Sequence, residues 1–466
     1  MSPAPAITLD SLRAFAGHDH VWTDAAHLAP YSVDAITPAA VVRPASVEEV
    51  VEVVRFAAAE KLGIVPVGNR TKLGIGMPPV RCDLALDLTR LNRVLAYDPG
   101  DLTLSVEAGL PLTDLSSLLG EHKQFLPLAV PFTSRTTVGG TIATGVDSPL
   151  RQFYGTARDF VLGIEFITGE GVRTKSGGRV VKNVAGYDLH KLMIGALGTL
   201  GVITSVNFRT FPLAPASRGF VASFPDLESA LAMRKRILES PLQPLTLEIL
   251  SPALAQIFHR QAPTTLGTVL AAPGAWLSTS EWTLAAGFGG NDRVLERHAA
   301  ELTRLAEQSR ATRTAVLDDA ERPLLSGRLR ECIPMLLEAS PLTTIFKISA
   351  LGTQFGRLLN ALRAMLERRG LPLVALVRSA GVIYLALLPS MAGPESLDAL
   401  GETSAQVIEH GATLGEHVTI PWCPAALKRR VNVWGPPRGD FALMQKMKQT
   451  FDPHNILNPG RYVGGL

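Results

Sequence analysis

Pro66-Val67-Gly68-Asn69-Arg70-Thr71-Lys72-Leu73-Gly74-Ile75-Gly76 is the stretch that decides the fold. The apolar run Ile64-Val65-Pro66-Val67 leads into it as a strand, and glycines then alternate with polar residues. Residues without a Cβ let the main chain turn sharply, so that successive N–H groups aim at one point and form an anion-binding nest. Arg70, Thr71 and Lys72 add charge and a hydroxyl to that nest.

Two further glycine-rich stretches follow: Thr137-Val138-Gly139-Gly140-Thr141-Ile142-Ala143-Thr144-Gly145, and Gly195-Ala196-Leu197-Gly198-Thr199-Leu200-Gly201-Val202-Ile203. One such run alone is more often an ordinary tight turn. Three in one region, each beside a strand, suit a compact, doubly negative group such as a dinucleotide pyrophosphate. None spells G-x-G-x-x-G or G-x-x-x-x-G-K-[ST], so neither a Rossmann site nor a P-loop is signalled.

Working outward, a strand over residues 40–44 precedes a helix that opens at Ser46, where Glu49 three residues later completes a capping-box pattern. Short strands are predicted at 84–88, 102–107, 161–167, 172–176 and 201–210, and a helix at 9–16. Beyond the linker Phe211-Pro212-Leu213-Ala214-Pro215, strands alternate with amphipathic helices, as in 219–224 with 227–238, 282–288 with 292–308, and 345–351 with 355–369. That alternation predicts an antiparallel sheet covered by helices with ferredoxin-like pairings. A helix over 440–450 and a Pro/Asn/Gly-rich tail end the sequence, and no short-period repeat is visible.

At 466 residues the chain is long enough for at least two domains. A hydrophobic fraction of 46% with 19% charged residues describes a folded protein and excludes a disordered one. The formal charge of +3 gives no reason to expect nucleic acid or an anionic membrane as partner. Cys82, Cys332 and Cys423 are far apart, which argues against a disulfide framework, a zinc knuckle or an iron–sulfur cluster carried by this chain. The N-terminus shows no signal-peptide pattern, and the apolar stretch 373–388 is interrupted by Arg378, so it reads as two strands rather than a membrane span. A cytoplasmic location follows, with peripheral membrane association only through partners.

The order of these segments resembles the PCMH-type (vanillyl-alcohol-oxidase-like) FAD domain. Arg43-Pro44-x-x-Val47-x-Glu49-Val50, the glycine loop, Val106-Glu107-Ala108-Gly109 and Thr137-Val138-Gly139-Gly140 carry the likeness in its first part. Tyr154-Gly155-x-x-Arg158-Asp159-x-Val161-Leu162-Gly163, Gly198-Thr199-Leu200-Gly201-Val202-Ile203-Thr204, Phe451-Asp452-Pro453 and Leu457-Asn458-Pro459-Gly460 continue it. The resemblance implies an α+β architecture: a two-subdomain PCMH-type FAD-binding fold plus a ferredoxin-like α+β cap domain. Expected boundaries are 1–35 for an N-terminal segment, 36–214 for the FAD domain, 215–430 for the cap and 431–466 for a segment returning to the FAD domain. By the same likeness, Gly68, Asn69, Arg70, Thr71 and Lys72 would hold the pyrophosphate. Gly139, Gly140, Thr141, Ala143 and Gly145 would lie along the flavin and its ribityl chain. Val202 and Ile203 would offer backbone contacts, and Asn458 would sit near the ring system. The family's covalent tether usually comes from His or Cys. Neither occurs between Pro66 and Gly76, which implies non-covalent FAD.

Gly178-Arg179-Val180-Val181-Lys182-Asn183-Val184-Ala185-Gly186-Tyr187-Asp188-Leu189-His190-Lys191-Leu192-Met193 narrows the likeness to the FAD-binding E subunit of bacterial glycolate oxidase. Leu197 stands where catalytic relatives carry Glu, as in that subunit. Oxidising a 2-hydroxy acid needs a base for the hydroxyl proton and a cation for the carboxylate. The metal-binding motif His-x-Gly-Asp-Gly-Asn-x-His of related dehydrogenases is missing, and Ser379–Tyr384 in its place reads as a plain strand, so no metal is expected. A second motif survives in part as Gly415-Glu416-His417-Val418, making His417 a candidate base with Glu416 beside it, and Arg378 and Arg430 candidate carboxylate ligands. The resemblance implies a glycolate oxidase D-type flavoprotein subunit and an iron–sulfur F-type subunit as partners, with a small hydroxy acid as substrate. A stand-alone FAD-linked alcohol or hydroxyacid oxidase and a non-catalytic flavin-binding assembly subunit are the alternatives.

Overall fold

A computed structural model describes residues 9–179, 186–260 and 273–466. The strands of the N-terminal half are β1 (Val21–Trp22), β2 (Ala40–Val42), β3 (Ile64–Val67), β4 (Leu84–Asp87), β5 (Val94–Asp98) and β6 (Thr103–Glu107). They continue as β7 (Gln124–Phe125), β8 (Val161–Ile167), β9 (Arg173–Gly177), β10 (Val202–Arg209) and β11 (Phe211–Pro212). Two main sheets form, in the orders β1-β2-β4-β3 and β5-β6-β10-β8-β9. In the first, β2, β4 and β3 are parallel, and the helix Val47–Ala59 makes the crossover that parallel neighbours require. The cap at its start differs from the sequence pattern. Ser46 Oγ accepts from the Glu49 N–H at 3.2 Å, but the Glu49 carboxylate accepts from Ala45 N–H at 2.7 Å rather than from Ser46.

The second sheet is antiparallel and buries Leu104, Val106, Ile164, Phe166, Val206 and Phe208 under the helices Leu112–Glu121 and Val138–Thr144. The C-terminal tail completes the first sheet. Ile64 N–H donates to Ile456 O at 2.7 Å and Asn458 N–H to Ile64 O at 2.8 Å, so the tail runs along the β3 edge that would otherwise be open. Lys448, in the helix Phe441–Phe451, locks this return through Asp452 (2.7 Å) and the carbonyls of Thr199 and Leu457 (2.9 Å each).

The second half is built on β12 (Ala216–Phe224), β13 (Thr246–Leu250), β14 (Trp282–Gly290), β15 (Arg313–Leu317), β16 (Thr344–Ser349), β17 (Val374–Arg378), β18 (Val382–Leu387) and β19 (His417–Trp422). They form one antiparallel sheet in the order β15-β12-β14-β13-β17-β18-β16-β19. Each half of that order is a ferredoxin-like βαββαβ unit, and the two units join where β13 pairs with β17. The duplication carries no repeated motif, which is why the sequence shows no repeat: only the pattern of buried positions is copied.

Four helices, Leu227–Glu239, Asp292–Gln308, Phe355–Glu367 and Pro394–Thr413, cover one face of the sheet with a continuous apolar core. On the other face the first unit is covered by Pro252–Arg260, Glu321–Arg330 and Cys332–Ala339. The second unit turns that face to the N-terminal half, where Ile75 and Leu197 join its core. The stretch expected as a plain strand at 379–384 is corrected here: residues 379–381 form the turn between β17 and β18, held by Arg234 on Ser379 Oγ (2.9 Å) and O (2.8 Å).

Candidate active site

Between the two N-terminal sheets lies a cleft with about 490 Å³ of empty space, lined by residues 66–73 and by Thr136, Thr137, Gly140 and Asn458 among others. Among the described residues, none of the main-chain N–H groups from Gly68 to Gly74 has an acceptor. Arg70 adopts the left-handed conformation (φ 61) inside this run. Lys72 is 8% exposed, and its ammonium meets only hydroxyls, Thr136 Oγ1 and Thr71 Oγ1, with no carboxylate within ion-pair distance. Burial pulls its pKa down to about 7. A buried cation that Glu331 reaches only from beyond ion-pair distance, beside N–H groups without acceptors among the described residues, suits a bound anion. Arg70 is placed differently from expectation. It donates to Tyr31 Oη at 2.7 Å and lies 3.8 Å from the buried Asp87, so its charge is already answered.

The second glycine run works by packing. The amides of Val138, Gly139 and Gly140 are taken by Leu110 O, Ala108 O and Thr137 Oγ1. A Cβ on Gly139 would fall 2.7 Å from Ala108 Cβ, so this glycine lets the helix Val138–Thr144 close on the end of β6. Gly140 and Ala143 line both the cleft and an adjoining space of about 390 Å³, which Ile203 also walls. Thr141 turns inward, donating to Thr137 O, and Val202 is fully buried in the core of the first sheet; neither lines the groove.

Asn458 uses both ends of its amide on protein while still lining the cleft. Nδ2 donates to Leu197 O, and Oδ1 accepts from Arg461 Nη1 at 3.2 Å. Arg461, fully buried, also donates to the carbonyls of Leu73 and Ile75, pinning the far end of the glycine loop. Tail, first glycine run and third glycine run therefore meet at one pair of side chains. Arg461 was not singled out from sequence, where an arginine in a polar tail carries no signal. Tyr187 is 89% exposed and Asp188 pairs with Lys191 at 2.7 Å, so neither lines the groove; Lys182 lies outside the described residues.

A third space of about 760 Å³ continues from Thr144 and Gly145 to the open face of the cap sheet. Two adjacent rungs of that sheet supply its polar groups. In one, Tyr384, Lys347 and Thr419 are directly opposed on β18, β16 and β19; in the next, Ser349 opposes His417. His417 is half-buried, and burial, then Arg438 and Lys347, depress its pKa below 6.5 against the opposing pull of Asp440. It is therefore a neutral imidazole at neutral pH. Lys347 makes no ion pair within reach, and burial lowers its pKa while Asp147 opposes. Burial raises the Tyr384 phenol, which stays a neutral donor.

Glu416 does not line this space. Arg378 is buried between Glu248 (3.2 Å) and Asp147 (3.5 Å), and Arg430 pairs with Asp398 at 2.7 Å, so neither arginine is available to a ligand. Lys347 went unnoticed in the sequence. The one available signal was a charge on an inward position of a strand whose other inward neighbour, Ile345, is wholly buried.

Residues 38–177 match a family described as "FAD binding domain", and residues 214–414 with 436–462 match "FAD linked oxidases, C-terminal domain". The chain belongs to the FAD-linked oxidases. It is a PCMH-type flavoprotein and an FAD-dependent oxidoreductase. Its sequence is 23% identical over 439 residues to glycolate oxidase subunit GlcD of Bacillus subtilis (strain 168), covering 92% of this chain and 91% of that protein. It is 36% identical over 199 residues to glycolate oxidase subunit GlcE of Escherichia coli (strain K12), covering 42% of this chain and 55% of that one. The crystal structure of p-cresol methylhydroxylase with substrate bound superimposes with a TM-score of 0.79 at 19% identity, over 97% of this chain and 95% of that one.

The residues present fit FAD. Free amides at 68–74 and the unpaired Lys72 suit a pyrophosphate, and the groove leads from there to the cap face. In this FAD-linked oxidase the three thiols are poor nucleophiles, since burial pushes Cys82, Cys332 and Cys423 each up to about 12. Among the described residues no group of three or more His, Cys, Asp or Glu could hold a metal ion. No helix among them is long and apolar enough to cross a membrane.

Proposed function

We propose that this chain oxidises a 2-hydroxy acid, as an FAD-binding subunit of a glycolate oxidase- or dehydrogenase-type assembly. The observation that carries the reading is the opposition of Lys347, Tyr384, Ser349 and His417 on one open sheet face beside the flavin groove. Bound FAD supplies the hydride acceptor. Lys347 and the Tyr384 hydroxyl hold the substrate carboxylate by charge-assisted hydrogen bonds. The neutral His417 imidazole is placed to take the hydroxyl proton; a bound flavin would accept the Cα hydride, so that the products would be a 2-oxo acid and reduced flavin. Lys72 and the free amides of residues 68–74 would anchor the pyrophosphate, and Asn458 and Arg461 hold the loops in register.

Partners of the D type and an iron–sulfur F type would then take up the electrons. The match to a D-type subunit over 92% of this chain supports catalysis by this chain itself over a purely structural role. Purified chain, alone and with its co-expressed partners, is mixed anaerobically with 2-hydroxy acids while the flavin absorption is recorded. Bleaching by the isolated chain establishes catalysis here; bleaching only in the assembly moves the chemistry to another subunit. Absence of bleaching in either form sinks the reading.

A further inference from the structure

On its cap side the cavity has five polar residues and three apolar ones, and Thr144 is the one polar side chain lining it from the flavin domain. Lys347, Ser349, Tyr384, His417 and Thr419 are the polar residues of the cap side. The other cap-side walls are Pro421, Trp422 and Trp434, with Ile75 and Val146 closing from the flavin domain. A β-bulge makes this possible. Ile345 pairs with Trp422 but Lys347 with Thr419, so three residues of β19 span two of β16. The extra residue resets the alternation, and Pro421 and Trp422 both face the cavity where one of them would have turned into the core. Both indoles present ring rather than N–H to it. Trp434 Nε1 is used on Arg461 O at 2.9 Å, and Trp422 Nε1 is buried without a partner.

We propose that the substrate is a monocarboxylic 2-hydroxy acid with a bulky apolar substituent, of the aryl or branched-alkyl kind, seated between Trp422 and Trp434. The inference rests on the hydroxy-acid reading of this same site. Part of the 760 Å³ belongs to the flavin, and the cap-side walls are what the substrate meets. A two-carbon acid satisfies Lys347 and His417 and leaves both indoles with nothing to cover; an apolar substituent removes that surface from water and packs on ring faces. A second carboxylate has no place. Lys347 is the one Lys or Arg among the residues lining the cavity; the nearby Arg151 and Arg378 are engaged by Asp147 and Glu248, and Arg438, whose charge reaches His417, does not line it. An acid end would lie against indole without a counter-charge, which is costly.

The test uses the FAD-loaded full chain, with partner subunits if reduction requires them. Flavin bleaching is followed with both enantiomers of phenyllactate, 2-hydroxy-4-methylpentanoate, lactate, glycolate and 2-hydroxyglutarate. The apolar acids should exceed glycolate in kcat/KM by about tenfold or more, the discrimination an apolar pocket supplies. Trp422→Ala should shrink the preference for phenyllactate over lactate by about tenfold in kcat/KM. Trp422→Phe should retain most of the preference, and it carries the test if the alanine variant loses its flavin. Glycolate or 2-hydroxyglutarate as the best substrate overturns this inference and leaves hydroxy-acid oxidation standing. If no acid bleaches the flavin in any assembly, that broader reading fails and takes this one with it.

Discussion

Lys347 stands directly across from Tyr384 on the neighbouring strand, an ammonium and a phenol on one open sheet face. Cross-strand neighbours lie within reach of a common small ligand. Among the described residues Lys347 has no carboxylate within ion-pair distance, and Asp147 acts on it only from farther away, so the pair suits an anionic substrate.

Replacing Lys347 by Met removes a charge-assisted contact worth about 1.5–3 kcal/mol. The expected outcome is a KM for the hydroxy acid raised roughly tenfold to hundredfold, with a smaller change in kcat. Lys347→Arg should recover part of the loss. Steady-state kinetics on the FAD-loaded enzyme check this, and an unchanged KM would remove Lys347 from the site.

His417 sets the acid limb of the pH profile. Burial and the charges of Arg438 and Lys347 hold its pKa below 6.5, so the base is neutral above that lowered value and is lost as pH falls through it. Flavin reduction should therefore be level around neutral pH and decline only in the acid range. Lys347→Met takes away one depressing charge and should move the limb upward. His417→Gln should slow reduction by about 10²–10⁴-fold and abolish the limb. Stopped-flow reduction across pH measures both.

Lys72→Met should weaken FAD binding by about tenfold to hundredfold, the same scale of charge-assisted contact. The native ammonium, whose pKa burial pulls down to about 7, must be protonated to meet the pyrophosphate. Affinity in the native protein should thus fall as pH rises above about 7, and the Met variant should lack that slope. Fluorescence titration with FAD at several pH values decides it.

Gly139→Ala and Gly140→Ala separate packing from ligand contact. At Gly139 the new methyl meets Ala108 Cβ at 2.7 Å and Ala108 O at 3.0 Å, and such overpacking costs about 1–3 kcal/mol of stability. At Gly140 the nearest protein atom is Thr137 Oγ1 at 3.2 Å, and the methyl enters the groove. Gly140→Ala should therefore fold nearly as well as the native chain but release FAD more readily. Apo-protein unfolding and FAD titration, run on both, distinguish the two effects.

Asn458→Ala removes the donor to Leu197 O and an acceptor of the buried Arg461. Leaving buried polar groups unmet costs about 1–3 kcal/mol. Unfolding should be easier in the apo-protein, and FAD should bind more weakly because both loops it braces line the cleft. A variant with native stability and native affinity would contradict the bracing role.

Most of the architecture was legible because it rests on local chemistry. A short apolar run marked β8 as Val161–Ile167, and amphipathic spacing marked the helix Asp292–Gln308, both at their observed bounds. The strand–loop at 64–76 showed itself through glycine and charge alone. The edge strands β5 and β15 and the strand β13 passed unnoticed. β5 and β15 are half exposed and lack a clean pattern, and the sequence of β13 gains meaning only from its neighbours. The two glycine runs also looked alike in sequence yet differ in use. Amides at 68–74 are free while those at 138–140 are consumed, and only long-range acceptors such as Leu110 O and Ala108 O make that difference.

Sequence by itself determined the fold type and raised the glycine loop and the pair Glu416 and His417 as candidates, since each depends on residues close together in the chain. Tertiary structure decided which charges are spoken for: Arg70, Arg378 and Arg430 are answered by Asp87, Glu248 with Asp147, and Asp398, while Lys72 and Lys347 are not. An ion's availability depends on what lies within a few ångströms of it, and for these side chains those neighbours arrive from 17 to 231 residues away.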